Sequence, residues 1–262
     1  MDERATTAFR IGSCLAGRAR DARVADVRVG LGYTAVMLAD GQVGVAFTFR
    51  DQARGGCTVF EGLRPLAGRP AAELLALLGS TDAIEAGVGL ACANALANRE
   101  GPRYLEGDTL DHLDVRPDDD VGMVGHFGPL VRPIERRARS LTVFERLDHP
   151  SGTLRPREEA AERLPGCQVA LLTATAIINH TMDGLLQAAA GCREVAVLGA
   201  STPLMPEVFA GTNVTLLSGV VVSDPGAVLR VVSEGGGMRL FGPHIRKVSL
   251  RTPTGSKEAR GC

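Results

Sequence analysis

The second half of the chain alternates short apolar segments with helical segments, and this alternation constrains the fold more than any other feature. Residues 169–173 and 195–199 are nearly unbroken apolar runs, as expected for strands buried on both faces. Strands that alternate with helices predict parallel pairing with right-handed crossovers. The sequence therefore predicts an α/β fold with a Rossmann-like, doubly wound parallel sheet. Further strands are predicted at 121–127, 141–145, 214–217 and 247–250, with helical segments at 157–164, 177–190, 203–210 and 224–233.

The first half of the chain has a different order of predicted strands and helices. A helix is predicted near 6–20, followed by strands at 24–31, 33–38 and 42–49 with Asp40-Gly41 as a tight turn. Two helices follow, one after Pro70 and one from Asp82 to about residue 97, in which Gly87 and Gly89 indicate close approach by another backbone. The acidic run 118–120 marks the expected boundary between a smaller α+β domain, 1–117, and the Rossmann-like domain, 118–262.

Composition excludes several classes of partner. The formal net charge is −1, Trp is absent and Tyr occurs twice, so neither a basic groove nor an aromatic platform for nucleic acid is expected. No segment is apolar for long enough to insert into a membrane, and the amino terminus lacks the apolar region of a signal peptide. The six cysteines form no C-x-x-C pair. These features argue against a disulfide framework and predict a cytoplasmic location.

A glycine-rich turn follows the first predicted parallel strand. The candidate ligand-binding residues there are Gly122, Gly125, His126 and Phe127, in a G-x-x-G-x-x-G spacing that differs from the dinucleotide fingerprint. Ligand contact by exposed amides and a purely structural turn are equally compatible with this spacing. Glu145 ends the next strand about 20 residues beyond the turn, where Rossmann domains bind a ribose hydroxyl. Its alternative role is that of a solvated strand end.

Small polar residues follow two later strands. Thr173, Thr175, Asn179 and His180 come after the third parallel strand, where hydroxyl and amide groups suit an anion or a sugar. The fourth strand leads to Ser201 and Thr202 before a proline, a pattern that ordinary helix capping explains better than catalysis. Because the carboxyl ends of parallel strands gather at one edge, we expect Gly125, His126, Glu145, Thr173, Asn179 and Ser201 to surround one cleft.

Several catalytic and metal-binding classes lack their local signatures. The five histidines are scattered with no H-x-x-x-H or H-E-x-x-H spacing, so a zinc site would have to be assembled across the fold. G-x-S-x-G and G-x-x-x-x-G-K-[ST] are both absent, which argues against an α/β-hydrolase and a P-loop nucleotidase. No catalytic base and no metal ligand is identified.

An ordered set of motifs extends over almost the whole chain: VGLGYTAVML-ADGQVGVAFT, GVGLACANAL, VGMVGHFGPLV, ALLTATAIINHTMDGLL and LGASTPLMPEVFAG. Together they resemble the family of unknown function named for "putative heavy-metal chelation". The resemblance implies an amino-terminal domain like the small capping domain of enolases, and a cleft between it and the Rossmann-like domain. It also implies that Thr34 in GYT and Asn94 in ANAL face that cleft.

Three functions are compatible with these observations. The preferred one is an enzyme or handling protein for a small anionic metabolite, such as a metal chelator, bound in the interdomain cleft. The alternatives are an enzyme that uses a nucleotide or S-adenosylmethionine, and a non-catalytic protein that binds heavy metals. The expected cofactor is accordingly a metal chelate or an adenosine-containing compound, held through its anionic groups by backbone amides. Whether the chain catalyses a reaction or forms a homo-oligomer stays open.

Overall fold

The computed structural model describes residues 6–53, 64–101, 103–147 and 151–253. Within these residues the chain forms two sheets and the helices that cover them. The helices are α1 Thr7–Asp21, α2 Ala71–Ala76, α3 Ala83–Ala97, α4 Gly128–Glu135, α5 Ala160–Arg163, α6 Met182–Ala188, α7 Pro225–Ser233 and α8 Met238–Phe241. The strands are β1 Val24–Val29, β2 Tyr33–Leu38, β3 Val43–Phe47, β4 Asp120–Val124, β5 Ser140–Glu145, β6 Leu154–Pro156, β7 Val169–Thr173, β8 Glu194–Leu198, β9 Leu216–Val222 and β10 Ile245–Arg251.

The larger sheet has seven strands in the order β10-β9-β8-β7-β4-β5-β6. The pairs from β6 to β9 are all parallel, so these six strands follow the Rossmann order 3-2-1-4-5-6 when they are numbered from β4. The order reverses between β4 and β7, and ligands of such sheets bind above that reversal. The predicted fold class, a mixed α/β protein with a mostly parallel sheet and a smaller antiparallel one, is confirmed.

Two strands of this sheet differ from the prediction. β6 is a three-residue strand, Leu-Arg-Pro, too short to stand out as an apolar run. β10 is antiparallel to β9, with Ile245 opposite Val222, although the alternating pattern predicted parallel pairing throughout. The cause is the connection: α7 and α8 fold back beside β9, so the chain re-enters the sheet where β9 ended. The predicted helix at 203–210 is instead a single turn, Pro206–Phe209.

The smaller sheet is the predicted antiparallel meander, β1-β2-β3. Gly41 forms its tight turn with a φ of 86°, a value that favours glycine. The buried helix α3 crosses one face of this sheet. Close approach is confirmed at Gly89, where a Cβ would lie 2.3 Å from the backbone nitrogen of Leu78, whereas at Gly87 the nearest atom would be the carbonyl oxygen of Phe47 at 3.4 Å.

The other face of the meander packs against the Rossmann-like part of the chain. Ala35 and Val45 share an apolar cluster with Val228, Val232 and Phe241 of α7 and α8. The two sheets are therefore separate but joined through a buried apolar interface. The boundary near residues 118–120 stays a prediction, although β4 begins at Asp120.

Cysteine pairing departs from the expectation of a chain without a disulfide framework. Cys14, in α1, is disulfide-bonded. Cys92, Cys167 and Cys192 are free thiols, and burial raises the pKa of Cys92 to about 12. None of the helices in the described ranges is both long and apolar enough to span a bilayer.

Asp120→Asn is expected to lower the free energy of unfolding by about 1 kcal/mol near pH 7 and to have little effect near pH 2. Hydrogen bonds from Arg139 and Ser140 lower the pKa of Asp120 from 3.8 to about 2. Because the folded-state pKa lies below the unfolded value, this stabilisation is present above the ordinary pKa and is lost as the pH falls through about 2. Urea unfolding at both pH values measures the effect. Asp118→Asn is the control, and a pH-independent difference would contradict the assignment.

Candidate functional site

A cleft of about 750 Å³ lies at the carboxyl ends of β4, β5 and β7, on the side where the strand order reverses. It is bounded on the other side by residues that follow β3 of the smaller sheet. Eight of the predicted site residues line it, and they come from three different strand ends. These eight are Gly125, His126, Phe127, Glu145, Thr173, Thr175, Asn179 and His180.

The glycine turn after β4 leads into the start of α4, where two backbone amides have no acceptor among the described residues. Gly125 has a φ of 88°, and its N–H donates to the carbonyl of Phe144 at 2.9 Å. The next turn opens α4, with Pro129 in its first turn as predicted and no side-chain cap. In the described part of the chain no acceptor bonds the N–H groups of Phe127 or Gly128. These amides are available to an anionic group at a helix amino terminus.

Gly125 also touches β7. A Cβ at this position would lie 2.9 Å from the Cβ of Thr173, and its positive φ strains any other residue. A bulky substitution such as Gly125→Val would therefore disturb the turn itself. It does not test whether a ligand reaches the amides.

Glu145 is tied to the backbone on both of its carboxylate oxygens. Oε2 accepts the N–H of His126 at 2.9 Å, and Oε1 accepts the N–H of Arg146 at 2.8 Å. The carboxylate thus joins the end of β5 to the glycine turn. Contact with a ribose hydroxyl would have to use the lone pairs that remain.

The polar residues after β7 form a local network. The hydroxyls of Thr173 and Thr175 lie 2.9 Å apart, and Thr173 also accepts the N–H of Thr175. Asn179 accepts both the N–H and the hydroxyl of Thr181, the latter at 2.7 Å. Thr173 thus caps the turn that follows β7, whereas α6 begins at Met182 without a side-chain cap, and Thr173, Thr175 and Asn179 all line the cleft.

His180 is the one described non-glycine residue with a positive φ, 56°. Its Nε2 lies 2.7 Å from the carbonyl oxygen of Ser80, which precedes α3, so the imidazole bridges from the Rossmann-like part to the smaller domain. A positive φ in a residue other than glycine costs free energy. It persists where the surrounding structure enforces it, and such residues cluster at functional sites. His126 is exposed at the mouth of the cleft.

Gly122 and Thr34 lie away from the cleft lining. Gly122 is in the middle of β4, where an added Cβ would lie 2.6 Å from the side chain of Leu164 and 3.1 Å from Cys167. It allows close packing beneath the sheet. Thr34 is buried in β2 with its hydroxyl 2.9 Å from that of Thr48.

Asn94, Ser201 and Thr202 join the two domains. Asn94 Nδ2 donates to the carbonyls of Val45 and Ser201, at 2.9 and 3.1 Å. Ser201 Oγ accepts the N–H of Phe47 at 2.9 Å, and the carbonyl of Thr202 accepts from Asn98 at 2.9 Å. The expectation that Ser201 surrounds the cleft with the other strand-end residues is wrong, because the loop after β8 is held against α3 and β3.

Besides Phe144 in β5, six further charged or aromatic residues line the cleft and were not predicted. Phe47 and Phe49 form an edge-to-face pair with centroids 5.1 Å apart. Phe47 ends β3 and Phe49 follows it, but the smaller sheet is antiparallel, so the argument from the carboxyl ends of parallel strands does not apply to them. Arg157 follows the unrecognised strand β6. The full set of six is Phe47, Phe49, Asp51, Arg146, Arg157 and Glu158.

Side chains of metal-ligand type do not form a cluster in the described part of the chain. Within the residues that the structure describes, no group of three or more His, Cys, Asp or Glu side chains is arranged to hold one. A protein metal site commonly needs about four convergent ligands.

Fold and cleft together define a class: a two-domain α/β protein whose Rossmann-like sheet opens at its strand reversal toward a small α+β domain. Two family models match the chain, over residues 13–97 and 108–251, and both carry the description "Putative heavy-metal chelation". The chain belongs to this family.

Similar proteins match this chain over almost its whole length. An uncharacterized protein of Methanocaldococcus jannaschii is 24% identical over 248 residues, covering 90% of this chain and 93% of its own. The crystal structure of a protein of unknown function from Pyrococcus horikoshii has a TM-score of 0.83 at 22% identity, covering 94% of this chain and 100% of its own. A second such structure, from Desulfitobacterium hafniense, has a TM-score of 0.77 at 22% identity, covering 92% and 98%. These two likenesses show the fold.

Proposed function

We propose that this chain binds a small anionic metabolite in the interdomain cleft, and that a heavy metal enters the site as a complex with that metabolite. The observation that carries the proposal is a pair of backbone amides at the start of α4 that have no acceptor among the described residues: that of Phe127, which lines the cleft, and that of Gly128, which follows it. Backbone amides at a helix start favour carboxylate or phosphate without burying a second ion.

The cleft wall supports a ligand with an apolar part. Phe47 and Phe49 face it from the smaller domain and Phe127 from the Rossmann-like side. Burial of an apolar surface against such rings contributes about 25 cal/mol per Å². The family description is the reason for including a metal in the proposal. The lack of a convergent group of donor side chains in the described residues favours a chelated metal over a free ion.

A nucleotide or S-adenosylmethionine enzyme is the second candidate. It is favoured by the Rossmann strand order and by Glu145 at the end of β5. The third reading, a non-catalytic protein that binds bare metal, has no such support among the described side chains. The reaction, if the protein catalyses one, is not assigned.

The test starts with native mass spectrometry of the freshly purified protein and metal analysis of the same sample. Calorimetric titration follows with citrate, with citrate loaded with nickel, cobalt or zinc, and with each metal salt alone. We expect citrate or its complexes to bind, and Phe49→Ala to weaken binding about tenfold through lost ring contact. Phe9→Ala is the matched control, because Phe9 is 45% exposed on α1.

Two results would contradict the proposal. One is tight stoichiometric binding of a bare metal salt that His126→Ala or His180→Ala abolishes. The other is equal affinity of the parent protein, Phe49→Ala and Phe9→Ala for the anionic probe, because the cleft would then not be the binding site. Circular dichroism of each variant separates lost binding from lost folding.

A further inference from the structure

Two arginines stand side by side at one wall of the cleft. β5 and β6 are parallel with Glu145 opposite Pro156, so Arg146 and Arg157 directly follow neighbouring strand ends. Adjacent strands are about 5 Å apart, which places Glu145 and Pro156 within one strand spacing and each arginine one residue beyond them. Both residues line the cleft.

Neither guanidinium is neutralised by a close carboxylate in the described residues. Arg157 has one ion pair, to Glu158 at the 4.0 Å limit, and that glutamate side chain is 75% exposed. Arg146 has no ion pair there, whereas Arg163, on the nearby helix α5, bonds Glu159 at 2.7 Å. An arginine pair without tight partners suits a doubly charged oxyanion, which guanidinium binds in a bidentate manner.

The other acidic groups of the cleft are engaged elsewhere. Both oxygens of Glu145 accept backbone N–H groups. Asp51 is 73% exposed and lies 3.7 Å from Arg50. No carboxylate of the described cleft lining therefore forms a close ion pair with Arg146 or Arg157.

We propose that Arg146 and Arg157 form a subsite for a phosphomonoester carried on the ribose of a nucleoside-type ligand. In Rossmann sheets the end of the second strand lies beside the ribose, and an arginine there accommodates a phosphate on its 2′ oxygen. β5 is that strand, and the two arginines follow it and its neighbour. The subsite rests on the proposed binding of an anionic metabolite in this cleft, and it takes the ligand class from the second candidate, a nucleotide-type compound.

The experiment compares adenosine, adenosine 2′-monophosphate and adenosine 5′-monophosphate by calorimetry with the full chain. We expect the 2′-phosphate to bind at least about tenfold more tightly than adenosine, as one charge-assisted contact allows. The double variant Arg146→Gln, Arg157→Gln should remove that advantage and leave adenosine unchanged. Arg163→Gln, with the same change at an arginine outside the cleft lining, should keep it.

Three outcomes overturn the subsite: no preference for the 2′-phosphate over adenosine, a preference that the double variant retains, or equal losses for the charge-matched 5′-phosphate. An equal loss of affinity for the 5′-phosphate would show that the arginines act through general charge and not through a site for the 2′-phosphate. If the nucleotides do not bind while citrate or its metal complexes do, the subsite fails and the proposed function stands. If no probe binds, both fail.

Discussion

Replacing Gly44 with alanine is expected to lower the free energy of unfolding by about 3 kcal/mol or more, and the melting temperature by about 10 °C. Gly44 lies in β3 directly beneath α3. A Cβ there would lie 2.1 Å from the backbone nitrogen of Ala95 and 2.2 Å from the carbonyl oxygen of Ala91. Both are atoms of a helix backbone, so no side-chain rotation relieves the contact and the helix must move off the sheet.

The measurement is thermal and urea unfolding followed by circular dichroism. Gly17→Ala in α1 is the matched control, because a Cβ at Gly17 meets no atom within 4 Å and alanine favours the helix by up to about 1 kcal/mol. A Gly44→Ala protein that melts with the parent would show that α3 does not approach β3 as closely as described.

Asn98→Leu is expected to cost about 3 kcal/mol, because a leucine of similar size leaves three buried backbone groups without partners. Asn98, at the end of α3, donates to the carbonyls of Thr202 and Val220 at 2.9 and 3.3 Å, and its Oδ1 accepts the N–H of Leu204 at 2.8 Å. All three bonds are buried and join the smaller domain to the Rossmann-like one.

Asn213→Leu provides the comparison for Asn98. Asn213 also makes three bonds, to the carbonyls of Ala189, Ala190 and Cys192, at 2.8 to 2.9 Å. It is only half-buried, so water replaces these partners and the expected loss is about 1 kcal/mol or less. Equal losses in the two variants, measured by urea unfolding, would contradict the interdomain role assigned to Asn98.

Strand ends were predictable where the sequence signal is local. Gly125, Glu145 and Thr173 each follow an apolar run, and parallel pairing brings such ends together without further information. The structure places all three in one cleft. Their position in one cleft does not identify the ligand. The side chains of Glu145 and Thr173 also accept hydrogen bonds from nearby backbone N–H groups.

The positions of Ser201 and Asn94 in the folded chain could not be predicted from strand ends. Ser201 does follow a parallel strand, yet its loop is covered by the smaller domain and bonds Phe47. Asn94 is on a helix that is buried on all sides, so no apolar stripe indicates which neighbour its amide meets. The bonds between Ser201 and Phe47 and between Asn94 and Ser201 each join residues more than 100 positions apart in sequence, and only packing brings such groups together.

The sequence alone determined the class of fold, the meander, the Rossmann-like strands and the strand ends of one cleft wall, because periodicity and turn residues act within a few positions. Tertiary structure alone decided the opposite wall and the edges of the sheet. Phe47 and Phe49 face the cleft because α3 and α7 cover the two sides of the meander and leave the end of β3 beside it. Arg157 reaches the cleft because a three-residue strand pairs with β5, and so short a strand is held by its neighbour and not by its own sequence.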